Sequence, residues 1–161
     1  MTNRMYQYKE SGLNNIYLAN GFSEKETNRG RTVHIENVDG LHRAIGLWLA
    51  RDKKTLDGRE ARFLRLEMGL SQVALAVLLG KNEQSVARWE KKDLSADEGI
   101  PPESERLIRF LYLEYTGDDT PMRDFLRALA DLETIDQGDT AFAETESGWE
   151  REERKEAFEA A

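Results

Sequence analysis

Apolar positions fall into two regimes along the chain. Over residues 1–38 they come in short runs or alternate with polar ones, and turn residues punctuate them. Asn15-Ile16-Tyr17-Leu18 is followed by Asn20-Gly21, a dipeptide favoured in tight hairpins, and then by Phe22. Asn28-Arg29-Gly30 marks a second turn, after which Val33 and Ile35 alternate with Thr32 and His34. The pattern predicts a small three-stranded antiparallel sheet, with Tyr6 and Tyr8 adding an edge strand or packing beneath it. Tyr6, Tyr8, Tyr17 and Phe22 either close a small core or form an aromatic face for self-association or a partner.

From residue 39 the period lengthens to that of a helix. Asp39 is placed to cap a linking helix whose Leu41, Ala44, Ile45, Trp48 and Leu49 follow the 3.6-residue repeat. After the charged run Arg51-Asp52-Lys53-Lys54, Asp57 with Glu60 three residues on reads as a capping box, opening a helix to about residue 69 with Ala61, Leu64 and Met68 inward. Ser71 is the next N-cap, Leu75 and Leu79 share a face, and Gly80 supplies the positive φ of a sharp turn. Asn82 then caps a helix with Val86 and Trp89 inward and Glu83, Gln84, Ala87 and Arg88 on the opposite side. Pro101-Pro102 starts another, to about Tyr115, with Leu107, Leu111 and Tyr115 recurring every four residues and Ile108 and Phe110 widening the apolar face. Thr120-Pro121 opens a last one bearing Met122, Phe125, Leu126 and Leu129. Beyond about residue 134 Glu, Asp, Thr, Gly and Ala dominate, which predicts a mostly disordered acidic tail with a frayed helix in the stretch from Trp149 to Ala160. The expected fold is α+β: a β-rich module with its linking helix over 1–54, a helical bundle over 55–133 and the tail over 134–161.

Charge sharpens this division. The net charge is −8 over 161 residues. Residues 1–92 hold 16 Lys plus Arg against 11 Asp plus Glu, whereas residues 93–161 hold 7 against 20. A basic half is suited to phosphates, and an acidic half suppresses indiscriminate sticking to them. With no cysteine, disulfides, thiol catalysis and Cys-based zinc sites are excluded. His34 and His42, the two histidines, are assigned surface or capping roles and no metal or other cofactor is expected. The absence of a signal peptide or a long apolar run predicts a cytoplasmic protein with no membrane partner.

Leu70-Ser71-Gln72, Leu75-Ala76, Leu79-Gly80, Val86 and Trp89-Glu90 together resemble the helix-turn-helix of the Cro and phage-repressor (Xre) family of transcriptional regulators. The resemblance covers some twenty positions, including the small Ala76 where the two helices must touch. It implies a lambda-repressor-like bundle that binds double-stranded DNA, the helix 82–92 entering the major groove by its N-terminal end. Ser71 and Gln72 would then meet a phosphate, and Lys81, Asn82, Glu83, Gln84, Ser85, Arg88 and Lys92 would line the DNA face. Gln84 is the best adenine reader and Arg88 the best guanine reader; Glu83 departs from an ideal pattern, since phosphates repel it unless a cytosine amino group or Lys81 answers it. The resemblance further implies that Arg65, seven residues before Gln72, pairs with Glu90, and that the chain acts as a homodimer, a repressor bound to two half-sites.

Two other readings compete. An ordinary helical hairpin explains the core positions but not the gathering of Gln72, Gln84 and Arg88 on one side. The order of a β-rich module, a linking helix and an Xre-type domain also resembles antitoxins that repress their own operon, in which case the N-terminal module or the acidic tail would bind a toxin. In some of those the N-terminal module holds zinc through cysteines that are absent here. Catalysis is not expected, because no carboxylate sits with a nucleophile, a metal-ligand pair or a phosphate-binding glycine loop at a recognised spacing.

Overall fold

The computed structural model describes residues 4–91, 99–117 and 139–152, and these form an α+β protein of two compact units. One unit comprises 4–45 together with 139–152; the other comprises 46–91 with 99–117. The fourteen-residue helix α1, Val38–Arg51, contributes residues to both.

In the first unit, β1 (Tyr6–Gln7), β2 (Ile16–Leu18), β5 (Thr140–Thr145) and β6 (Gly148–Glu152) form a sheet in the order β1-β2-β5-β6. The β2–β5 pair is parallel and the other two pairs are antiparallel. β3 (Phe22–Thr27) and β4 (Gly30–Ile35) make a separate antiparallel hairpin. Two expectations are corrected here. Asn20-Gly21 does not join a β2–β3 hairpin, because Ile16, Tyr17 and Leu18 are all buried. A strand covered on both faces belongs inside a sheet rather than in a half-exposed meander. Asn20 instead accepts the Glu144 N–H on Oδ1 at 2.7 Å, and Gly21, at φ 73°, leaves space that the Trp149 ring fills.

The second correction concerns the acidic tail. Residues 140–152 are two paired strands, neither disordered nor helical, and Thr140, Ala141, Phe142 and Trp149 are buried. The Trp149 indole N–H donates to the carbonyls of Glu36 and Asn37 at 3.2 Å. Few apolar residues are present in this segment, but Ala141 and Phe142 are buried on the strand beside β2 and Trp149 is buried against Gly21, so it completes the first unit instead of standing apart. Residues 153–161, and the helix expected from Thr120, lie outside the described residues. Asn37, at φ 47°, also replaces Asp39 as the cap of α1, accepting the Gly40 N–H at 3.2 Å.

The second unit holds α2 (Gly58–Glu67), α3 (Gln72–Leu79), α4 (Glu83–Trp89) and α5 (Pro102–Thr116). The capping box at α2 forms as expected: Asp57 accepts the Glu60 N–H at 2.9 Å and Glu60 accepts the Asp57 N–H at 3.0 Å. Burial raises the Glu60 carboxyl above the usual carboxylate range, nearby Asp57 adds to the rise, and Lys53 at 3.3 Å opposes it. The apolar face of α5 is rotated from the expected one. Ile108 is buried as expected, but Tyr112 and Leu113 join it, whereas Leu107 and Leu111 are half-buried and Phe110 and Tyr115 are exposed. The rotation follows from Arg109, whose fully buried guanidinium donates to the carbonyls of Leu49 and Lys54 and to Glu105.

The role of the C-terminal hairpin in the first unit is testable through Phe142, which is 0% exposed. Phe142→Ala should cost about 3–5 kcal/mol. Amide exchange at Tyr17 and Leu18, the neighbours of β5 in the sheet, should then accelerate about a hundredfold or more. Unchanged exchange at those amides would contradict the assignment.

Candidate nucleic-acid interface

α3 and α4 form the helix pair expected from the sequence, packed against each other and joined by a tight turn. Ser71 Oγ caps α3 by accepting the Ala74 N–H at 3.0 Å, and Asn82 Oδ1 caps α4 by accepting the Ser85 N–H at 2.8 Å. Gly80 between them adopts the left-handed conformation, at φ 66°. Leu75, Ala76, Val86 and Trp89 are buried, and Leu79 is half-buried. The small Ala76 allows close approach of the helices, while each cap satisfies a backbone donor that a helix start leaves open.

One ion pair holds the C-terminal end of α4. Arg65 Nε donates to Glu90 Oε1 at 2.5 Å and Nη2 to Oε2 at 3.0 Å, a two-point contact between side chains only 9% and 5% exposed. Arg65 Nη1 also donates to the Leu70 carbonyl at 2.8 Å, and Gln72 Nε2 donates to Glu90 Oε2 at 2.8 Å. The carboxylate thus receives three donors from α2 and α3, which offsets much of the cost of removing it from water. Gly58 adds a steric condition. A Cβ there would overlap the Trp89 carbonyl, so only glycine lets the start of α2 lie against the end of α4.

The expected site residues divide accordingly. Arg65 and Glu90 are paired as anticipated. Gln72, expected at a phosphate, donates one amide N–H to Glu90. Ser71 and Asn82 spend a side-chain oxygen on caps, and Ser85 is half-buried. Glu83, Gln84 and Arg88 are exposed, with Gln84 and Arg88 one turn apart on α4. Lys81 lies 3.6 Å from Glu103 of α5, a solvent-facing pair with side chains 36% and 68% exposed. α4 ends at Trp89 with Glu90 as its C-cap, short of the expected residue 92; Lys92 lies outside the described residues. Arg109 was missed as a structural centre. Its signal was an arginine four residues after Glu105, beside the apolar positions of α5.

No family model, characterised protein or solved structure matches this chain.

Breaking the network from one side should be costly. Arg65→Met strands the Glu90 carboxylate and should destabilise the protein by about 3–5 kcal/mol, whereas exchanging both Arg65 and Glu90 for methionine should recover much of that loss. Urea unfolding of the single and double variants measures both. A single-variant cost below about 1 kcal/mol would mean that the pair behaves as a surface contact.

Proposed function

We propose that this chain is a sequence-specific DNA-binding regulator of transcription, a repressor of the Xre type that acts as a homodimer. The carrying observation is α4 itself: its C-terminal end is tied to Arg65 and Gln72 through Glu90, while Gln84 and Arg88 stand exposed one turn apart. A helix held at one end and bare on one face is suited to a groove, because its backbone position needs little reordering on binding. Arg88 has the planar fork that takes guanine O6 and N7 together, and Gln84 has the donor and acceptor that adenine requires. Two copies on an inverted repeat would present α4 to half-sites about one helical turn, roughly 34 Å, apart.

A second reading, the antitoxin, draws on the first unit. A groove of about 440 Å³ there is lined by Tyr6, Phe22, Arg4, Lys9, Arg31 and Glu10, among others. Tyr6 and Phe22 lie with ring centroids 5.3 Å apart, and the Tyr6 hydroxyl donates to Glu10. Burial, with the neighbouring Glu10, pushes the Tyr6 phenol up to about 12. An aromatic pair with adjoining cations is a surface that a protein partner such as a toxin could use.

Arg88→Ala should lose roughly 1–3 kcal/mol at the preferred duplex and flatten selectivity at one base position. Lys81→Ala should weaken all duplexes alike and reduce the salt slope by about one. Anisotropy titrations of both variants at several salt concentrations separate the effects. Equal losses for Arg88→Ala on preferred and scrambled duplexes would make Arg88 a phosphate anchor and count against its role as a reader.

A further inference from the structure

The β3–β4 hairpin carries chemistry that neither α4 nor the groove uses. Its register sets Phe22 opposite Ile35, Glu24 opposite Val33 and Glu26 opposite Arg31; the intervening pairs are Ser23 with His34, Lys25 with Thr32 and Thr27 with Gly30. Opposed residues share a face and successive residues alternate, so the ribbon has two unlike faces. Phe22, Glu24, Arg31 and Val33 line the groove, which identifies the inner face. Both ribbon carboxylates lie there, and Glu24 is held by Arg31 at 3.5 Å. The outer face consists of Ser23, Lys25, Thr27, Thr32 and His34, all exposed, with Arg29 at the tip. No carboxylate belongs to it; the acid beside it is Glu36, 3.3 Å from His34. Among the described residues Lys25 and Arg29 have no anionic partner.

The tip is also fixed in advance. Thr27 Oγ1 donates to the Gly30 carbonyl at 2.8 Å and accepts the Arg29 N–H at 3.3 Å, while Thr32 Oγ1 donates to the Lys25 carbonyl at 3.1 Å. Gly30, at φ 117°, permits the turn. These bonds tie the backbone on both sides of the two cations, so little backbone order has to be gained when they meet a ligand.

We propose that this outer face is a second DNA contact, in which Lys25 and Arg29 grip backbone phosphates without regard to sequence. The proposal rests on reading the chain as a DNA-binding protein, and it adds a surface remote in sequence from the helix pair. Phosphate contacts require only cations and hydrogen-bond donors, both of which this face supplies. A protein interface of ordinary kind requires an apolar centre, and this face has no large apolar side chain. A two-stranded ribbon also fits a major groove, so its shape poses no obstacle.

The test uses the full, ¹⁵N-labelled chain and a mixed-sequence 24-base-pair duplex. Amide shifts are expected at Lys25, Arg29 and Thr32, and the double variant Lys25→Gln, Arg29→Gln should lower the magnitude of the salt slope by close to two. Both residues are exposed, so the spectrum of the variant should remain that of the folded protein. Shifts confined to α4, with the slope unchanged, would overturn the ribbon contact and leave the helix reading intact. Shifts at the ribbon without any at Gln84 or Arg88 would sustain the ribbon and overturn the helix reading. A duplex that shifts neither region would overturn both. Polyglutamate of matched charge is the comparison: equal shifts with it would make the face a general anion surface and overturn its assignment to DNA.

Discussion

A carboxylate taken out of water must be answered by donors, and Glu90 is answered by three. Arg65 reaches it from α2 and Gln72 from α3, while Arg65 also holds the Leu70 carbonyl between those helices. One buried charge therefore fixes the end of α2, the turn after it, the start of α3 and the end of α4 relative to one another. Such a pair contributes little net stability over apolar residues of the same volume, but leaving either member alone is expensive. Its value lies in geometry: alternative positions of α4 would strand the charge. Gly58 reinforces this by admitting the Trp89 carbonyl where any side chain would exclude it.

Arg109 repeats the logic elsewhere in the same unit. Its guanidinium, at 0% exposure, gathers the carbonyls of Leu49 and Lys54 together with Glu105, which also accepts the Leu56 N–H at 3.3 Å. The charged segment before α2 is thus held by hydrogen bonds from α5, not by apolar packing alone. In the first unit a different constraint governs. β2 is buried over its whole length, so it needs a neighbour on either side, and the parallel strand β5 provides the second from more than a hundred residues away in sequence.

What could be read from sequence follows from the range of the interactions. Ser71, Gly80, Asn82 and the Asp57–Glu60 box act within a few residues of themselves, and each was found where its chemistry indicated. The Arg65–Glu90 pair spans 25 residues and was anticipated only through the resemblance. Non-local pairing defeated the rest: nothing local to Thr140–Glu152 announces a partner at Ile16–Leu18, and a sparse apolar content reads as disorder when that partner is out of view. Asn20-Gly21 failed for a related reason, since its turn chemistry was legible but Trp149 and Glu144, which use it, were not. On α5 the four-residue repeat of Leu107, Leu111 and Tyr115 lost to the tethering of Arg109.

α4 is proposed to read base sequence. Selection of bound duplexes from a randomised library by the unaltered protein tests this directly, with no operator assumed at the outset. Enrichment of an inverted repeat, with half-site centres about one helical turn apart and a guanine that Arg88→Ala no longer selects, is the result predicted. Recovery of duplexes with no shared sequence, from a protein that nevertheless binds them, would contradict it.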